Sequence, residues 1–307
     1  MIKTNIILQG DALTELKKLP DECINCCMTS PPYWALRDYG VKGQLGLEKD
    51  FNEYINKLCN IFDEVKRVLR KDGTCWVNMG DTYGGTGDKG DLKDPKNKEG
   101  RNGQKKALNK SATAKSLCMI PERFAIEMIN RGWILRNKII WYKRNAMPCP
   151  VKDRFTVDYE MLFFFTKSKK YWFETQYESV KTETISRNKY GLIPKKRVGA
   201  CGTDRKAGSF MSNKGRNKRA VWDIPLKGFR EAHFATYPES LCEIPIKSGC
   251  PIGGIVLDPF FGSGTTGVVA LKQKKKFIGI ELNNSYCDIA KKRLEPYLSQ
   301  KKIGDLV

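Results

Sequence analysis

Thr29-Ser30-Pro31-Pro32-Tyr33-Trp34 sets a hydroxyl, two prolines and two aromatic rings at the end of an apolar run, Cys23 to Met28, that reads as a buried strand. Each proline holds φ at about −65° and lacks an N–H donor, so nearby carbonyls stay without local partners while Ser30 and Tyr33 are fixed in angle. Such a turn at a strand tip suits gripping a flat amine. On spacing alone it also fits an ordinary proline turn over a buried tyrosine.

A second candidate is Asp258-Pro259-Phe260-Phe261-Gly262-Ser263-Gly264-Thr265-Thr266-Gly267, between an apolar run and a helical one. Glycines there let a ligand approach the backbone, and the first N–H groups of the helix can meet negative charge. A phosphate-gripping loop ends in Gly-Lys-Ser/Thr, whereas Thr265-Thr266 follows Gly264 here, and Asp258 repels a triphosphate. Glu281 closes the next strand about 20 residues on, the distance at which such folds bond a ribose diol. Its alternative is a solvated strand-end carboxylate. Asp11 also ends a strand and can accept from an adenine amino group. A nucleoside whose other end is a cationic amino acid fits Asp258, Glu281 and Asp11 together.

The elements that must hold these turns follow a βαβ rhythm, expected of a mostly parallel sheet. A strand at Ile6 to Leu8 leads to a short helix through Leu16, then to the Cys23 to Met28 strand. Phe51, Tyr54, Ile55, Leu58, Ile61, Phe62, Val65 and Leu69 fall at helical spacing, with Lys71-Asp72-Gly73 as the helix stop and Thr74 to Met79 as the next strand. A helix over Pro121 to Asn130 precedes β-rich runs at Trp133 to Tyr142 and Tyr159 to Thr166. The rhythm returns with strand Gly254 to Leu257, helix Thr265 to Leu271, strand Phe277 to Glu281 and helix Ser285 to Leu294. Between these lie two stretches rich in Gly, Lys and Asn. Tyr83 to Lys115 reads as a mobile basic loop, and Lys181 to Ala220 as a small lobe.

Charge is concentrated in the same stretches. The chain of 307 residues carries 55 Lys+Arg against 34 Asp+Glu, a net charge of +21. Residues 181–220 hold 12 basic and 2 acidic side chains, and residues 85–115 hold 9 and 4. Two such concentrations suit a polyanion, with nucleic acid as the leading partner. No apolar stretch resembles a signal peptide or a membrane span, so the expected location is cytoplasmic, with the nucleoid reached through DNA. The 11 cysteines are then reduced thiols. Cys23 and Cys26 form a C-x-x-C without a second pair, and His233 is the only histidine, so no metal site is expected and Cys26 and Cys27 read as packing.

Together the two turns resemble the amino-group DNA methyltransferases, which use S-adenosylmethionine. The family's proline tetrad, [Asp/Asn/Ser]-Pro-Pro-[Tyr/Phe/Trp], is matched by Ser30-Pro31-Pro32-Tyr33, and its cofactor turn, Asp-Pro-Phe-x-Gly-Ser-Gly-Thr-Thr, by Asp258 to Thr266. The catalytic turn precedes the cofactor turn, which resembles the permuted beta subgroup. His233-Phe234-Ala235-Thr236-Tyr237-Pro238 resembles the segment before that subgroup's cofactor turn, and Asn78-Met79-Gly80-Asp81 the strand end after its catalytic helix. The resemblance implies an α/β, Rossmann-like methyltransferase sheet in permuted order: residues 1–180 form the catalytic half (basic loop about 84–115), 181–230 the target-recognition region and 231–307 the cofactor half.

The resemblance also assigns roles. It places Asp11, His233, Phe234, Thr236, Asp258, Pro259, Phe260, Gly262, Ser263, Gly264, Thr265, Thr266 and Glu281 around S-adenosylmethionine, with helix-start packing as the alternative for His233. Ser30 Oγ and the Pro31 carbonyl would accept from the target amine, and Tyr33 would stack on the extruded base. Asp81 would support the pocket or serve as a plain turn aspartate. Trp34 and Arg37 would line the base pocket or touch DNA, and Lys195, Lys196, Arg197, Arg205, Lys206, Lys214, Arg216, Lys218 and Arg219 would meet phosphate. Cys149 lacks the context of a cytosine-C5 nucleophile. Serine in the tetrad is the family's cytosine form, so the expectation is cytosine N4, with adenine N6 as the alternative and an RNA methyltransferase or an inactive DNA-binding module behind it. Double-stranded DNA is the expected partner, with room for a homodimer and a cognate restriction endonuclease.

Overall fold

The computed structural model describes residues 2–36, 39–85, 112–179, 196–198, 204–206, 215–226 and 237–304, the side chains of 196–198, 204–206 and 300–304 excepted. Its chain divides into one unit of Met1–Phe173 with Val221–Val307 and a second of Glu174–Ala220.

The first unit is built on an eight-stranded sheet. In chain order its described elements are β1 (Ile6–Gln9), α1 (Ala12–Lys17), β2 (Ile24–Thr29), α2 (Phe51–Val68), β3 (Leu69–Met79), α3 (Ile120–Asn130), β4 (Ile134–Tyr142) and β5 (Tyr159–Thr166). The second unit holds β6 (Tyr177–Glu178), β7 (Lys196–Val198), β8 (Asp204–Lys206) and β9 (Arg216–Asn217), paired β6 with β9 and β7 with β8. The first unit resumes with β10 (Val221–Asp223), α4 (Glu239–Gly249), β11 (Ile255–Asp258), α5 (Thr265–Lys272), β12 (Lys276–Glu281) and α6 (Asn284–Gly304). The large sheet runs β1-β12-β11-β2-β3-β5-β4-β10, and β5 is antiparallel to both its neighbours while every other pair is parallel.

Alternation along the strands sends side chains to two cores, one on each face. Val77, Phe163 and Phe165 meet Leu16 of α1, Leu58 and Phe62 of α2 and Phe124 of α3. Trp76 and Phe164 point the other way, stacked with centroids 3.9 Å apart, and join Leu241 and Ile246 of α4, Val268 of α5 and Leu294 of α6. The sheet is thus buried on both faces, which is why its strands read as continuous apolar runs.

Two boundaries differ from expectation. Lys71-Asp72-Gly73 lies inside β3, because α2 ends at Val68 and its cap, Leu69, turns at once to an extended ψ of 134° and pairs with Ile24. The pairing goes from Ile24 with Leu69 to Cys26 with Thr74, so Arg70 to Gly73 are taken up between two paired positions of β2. The second unit covers Glu174–Ala220 rather than 181–230, since Val221–Asp223 pair with Ile140–Tyr142 at the edge of the large sheet. Most of the basic stretch after Gly85 lies outside the described residues; where the chain returns, Tyr83 bridges to Leu117.

Candidate active site

β1, β12, β11 and β2 are adjacent and parallel, so the turns at their C-terminal ends gather on one side of the sheet. This is where α/β sheets bind ligands. Gly10 and Asp11 after β1, Ser30 and Pro32 after β2, Pro259 to Ser263 after β11, and Glu281 to Asn283 around the end of β12 line a single cleft. Tyr39, Gln44 and Leu45, from the loop following the proline turn, and Tyr237 complete its wall.

The two turns are joined by a buried bond. Thr29 Oγ1 donates to Asp258 Oδ1 at 2.6 Å, and both residues are fully buried. Asp258 Oδ2 accepts from Thr266 Oγ1 at 2.6 Å and from Tyr237 OH at 3.1 Å, while the Phe260 N–H reaches Oδ1 at 3.0 Å. Burial pushes the Asp258 carboxyl above its ordinary value, against these donors, which stabilise the charged form. Asp258 is therefore turned inward, a clamp between β2, β11 and α5. That corrects its expected place among the residues around the cofactor: it is fully buried, and its oxygens are taken by Thr29, Phe260, Thr266 and Tyr237.

Behind the glycine turn lies Phe261, 3% exposed and stacked on Phe277 with centroids 5.4 Å apart. A Cβ at Gly279 would sit 2.3 Å from its ring and one at Gly267 2.7 Å away, so both glycines exist to admit it. Gly262 and Gly264 have φ of 51° and 81°, the left-handed values that reverse the chain into α5. Arg293 of α6 donates to Ser263 O and Oγ, both at 2.7 Å, and to Thr265 Oγ1 at 3.1 Å, fixing the turn from outside.

Two carboxylates face the cleft. Glu281 accepts from the Gly262 N–H at 2.7 Å on Oε2 and from the Asn283 N–H at 2.7 Å on Oε1, and the Leu282 N–H also acts on the carboxylate, so its four lone pairs are not all taken and capacity remains for a ligand hydroxyl. Burial holds its carboxyl above the ordinary range despite those N–H groups. Asp11 caps α1 through Oδ1, which takes the Thr14 N–H and Oγ1 at 2.9 Å each, so Oδ2 has no partner among the described residues.

At the proline turn, Tyr54 OH donates to the Pro32 carbonyl at 2.8 Å, whereas the Pro31 carbonyl accepts no bond from the described residues. Ser30 Oγ lies 3.3 Å from both Tyr33 OH and Asn78 Oδ1. Tyr33 OH donates to Glu160 Oε2 at 2.7 Å. Burial, then the Glu160 charge, lifts the Tyr33 phenol well above its usual value, so it keeps its proton. Its ring rests on the Gly80 backbone, where a Cβ would be 2.6 Å from Cε2.

Of the other expected residues, Pro259, Phe260, Gly262, Ser263 and Thr265 line the cleft, and Thr266 joins the Asp258 clamp. Trp34 is corrected to a core residue: it is 1% exposed, edge-on to Phe51 and bonded through Nε1 to the Glu48 carbonyl at 2.9 Å. Asp81 accepts from the N–H groups of Thr82, Met119 and Ile120 at 2.8, 3.0 and 3.0 Å, so it caps α3. Arg216 and Arg219 share Glu178 Oε1 at 2.8 and 2.7 Å. His233, Phe234, Thr236, Arg37, Lys195 and Lys214 lie outside the described residues, and Lys196, Arg197, Arg205 and Lys206 are described by backbone alone. Asn78, Glu160, Tyr237 and Arg293 were not singled out from sequence as site residues. A carboxylate at the head of the apolar run Tyr159 to Thr166 was the visible sign of Glu160, but only the antiparallel course of β5 brings it to the cleft side.

A sheet of this order, with a glycine turn and a proline turn facing one cleft at its switch point, defines an α/β methyltransferase of the amino-group class. The chain belongs to the family described as DNA methylase, the N6/N4 amino-methyltransferases, whose model matches residues 24–292, and it is a DNA methyltransferase. It is 42% identical over 290 residues to Type II methyltransferase M.Cfr9I of Citrobacter freundii, covering 94% of this chain and 87% of that one. To Type II methyltransferase M.SmaI of Serratia marcescens it is 39% identical over 288 residues, covering 94% and 90%. Among solved structures, the PvuII DNA methyltransferase (cytosine-N4-specific) superposes with a TM-score of 0.64 at 20% identity over 95% of this chain and 87% of that one. The putative DNA modification methylase TTHA0409 of Thermus thermophilus, in complex with S-adenosyl-L-methionine, gives 0.58 at 21% identity over 95% of each. At these identities the structural likeness is one of fold.

Proposed function

We propose that this chain transfers a methyl group from S-adenosylmethionine to the exocyclic amine of a flipped-out base in duplex DNA, at cytosine N4. The observation that carries the reading is the Thr29–Asp258 bond, which ties the proline turn to the glycine turn so that Ser30 and Gly262 face one cleft. The donor set fits the cofactor: unfilled lone pairs on Glu281 suit ribose hydroxyls, Asp11 Oδ2 suits an adenine amine, and backbone at Gly10 and Gly262 allows close approach. Bound there, S-adenosylmethionine supplies an electrophilic methyl on a sulfonium. An exocyclic amine is a poor nucleophile because its lone pair is delocalised into the ring. Ser30 Oγ and the Pro31 carbonyl, which has no partner among the described residues, accept its two hydrogens and draw the nitrogen towards tetrahedral geometry, while Tyr33 holds the base by its ring.

Serine at the head of the tetrad favours cytosine N4, and adenine N6 is the second reading because Asp11 and Glu281 are indifferent to the base. The proline turn after β2, the glycine turn after β11, and pairing of the N-terminal β1 with β12 support the permuted order. Basic residues of Glu174–Ala220 and Arg37 grip the phosphates. The Type II names of the relatives support a cognate restriction endonuclease. Incubating the protein with duplex DNA and labelled S-adenosylmethionine, digesting to nucleosides and weighing the product should give N4-methyldeoxycytidine; N6-methyldeoxyadenosine would move the target to adenine, and no methylated nucleoside would end the reading. Ser30→Ala should cut kcat by about 10²-fold and leave S-adenosylhomocysteine binding within a few-fold.

A further inference from the structure

The geometry points to Glu160, anchored by Lys143, as the positioning residue that makes Ser30 an acceptor towards the target amine; this rests on the reading of Ser30 given above. Lys143 Nζ pairs with Glu160 Oε1, and both side chains are largely buried, at 15% and 16% exposure. Glu160 Oε2 faces two groups, Tyr33 OH at 2.7 Å and Asn78 Nδ2 at 3.1 Å. Because a carboxylate only accepts, both must donate to it. The Asn78 amide is locked the same way round by the Met161 carbonyl, 3.2 Å from Nδ2. Its Oδ1 is thereby directed at Ser30.

The one phenolic proton of Tyr33 goes to the Glu160 carboxylate at 2.7 Å rather than to Asn78 Oδ1 at 3.1 Å, the shorter and charge-assisted bond being the stronger. At Ser30 both inner neighbours, Tyr33 OH and Asn78 Oδ1, therefore present lone pairs. Ser30 must donate inward to one of them, and its own lone pairs are left for the cleft that it lines. Both inner distances, 3.3 Å, are long for O–H···O, so the hydroxyl can swing to meet the amine without losing a strong bond. Reversing the array at Glu160 would turn the Ser30 proton outward, against the two amine hydrogens.

Glu160→Gln tests this, since it keeps the shape. Its amide must either aim N–H groups at Tyr33 and Asn78 or set them against the Lys143 ammonium, so kcat should fall on the order of 10- to 100-fold while the KM for DNA and S-adenosylhomocysteine binding stay within about 3-fold. Adding Lys143→Met frees the amide to turn its oxygen to Tyr33 and Asn78, and most of the lost kcat should return, which a packing defect would not allow. Wild-type kcat in Glu160→Gln, or a double variant as slow as the single one, overturns the inference. If Glu160→Gln fails to bind S-adenosylhomocysteine, Asn78→Leu with Tyr33→Phe removes both inward acceptors and keeps the Lys143 pair; the same fall is expected, and wild-type kcat overturns. Absence of transfer by the wild-type protein would instead strike the underlying reading.

Discussion

Glu281 shows how one side chain serves the turn and the ligand at once. Its oxygens take the Gly262 and Asn283 N–H groups, which hold the glycine turn open, and they lie in the cleft with lone pairs to spare. Burial costs more than those N–H groups and that of Leu282 return, so its carboxyl stands above the ordinary 4.5 in the folded chain. The sign follows: a raised folded pKa contributes stability that is complete below the unfolded value and is lost as pH rises through the folded one. Glu281→Gln does not titrate. The midpoint of thermal unfolding of the wild type, measured without cofactor and relative to this variant, should therefore be highest in acid and decline as pH climbs above about 4.5; a relative midpoint that rises with pH would place the carboxyl below its ordinary range. That Ser30, Gly262 and Glu281 would share one cleft was legible, because their types sit at strand tips in a spacing with few structural uses. Asp258 was legible as a strand-tip acid but not as a clamp, since its partners Thr29 and Tyr237 are 229 and 21 positions away. Trp34 was misread for a similar reason, its burial being set by the loop around Glu48.

Elements are positioned by a few polar pins between apolar layers. Asp81 takes the first N–H groups of α3, which starts from Met119 in a left-handed conformation with no side-chain cap of its own. At the far end of the sheet, Thr74 Oγ1 donates to the Gly249 carbonyl at 2.9 Å, and Gly249 is the residue where a Cβ would strike Thr74 and Trp76, at 2.2 and 2.6 Å. The Thr29–Asp258 bond does the same between β2 and β11 at the cleft. Thr29→Val keeps the shape and strips one donor from a buried carboxylate, so unfolding free energy should fall by about 2–3 kcal/mol, and kcat should fall with it as the two turns loosen. Thr29→Ser should retain most of both. Equal denaturant midpoints for Thr29→Val and wild type would show that packing alone aligns the strands. Periodicity revealed β1, β4, β5 and the closing β11 to α6 segment to within a residue or two at their starts, because both faces of the sheet demand apolar runs. It missed the junction of α2 and β3, where no turn residues intervene, and the pairing of β10, only three residues long.

At the scale of the whole chain, +21 charges must serve a polyanion and remain compatible with a folded surface. Motif order pointed to the architecture through the resemblance, since the permuted subgroup sets its N-terminal strand beside the strand that follows the glycine turn, and here Ile6 to Gln9 pair with Ile278 to Glu281. The limits of the smaller unit were not legible, because basic, glycine-dotted sequence continues up to the residue at which the sheet takes the chain back. Within that unit Arg216 and Arg219 converge on Glu178, at 37% and 70% side-chain exposure, and such exposed pairs are worth only about 0–1 kcal/mol. A phosphate can therefore replace Glu178 at little cost, with Lys218 beside them on the same segment. Reversing all three, with Arg216→Glu, Lys218→Glu and Arg219→Glu, should weaken binding to duplexes of any sequence. It should also lower the steepness of log K against log salt by about 0.9 for each phosphate no longer neutralised, so by up to roughly 3. S-adenosylhomocysteine binding should be untouched, as the described residues that line the cleft belong to the other unit. A salt slope identical to that of the wild type would mean that this stretch meets no phosphate and that the remaining charge of the chain steers the DNA.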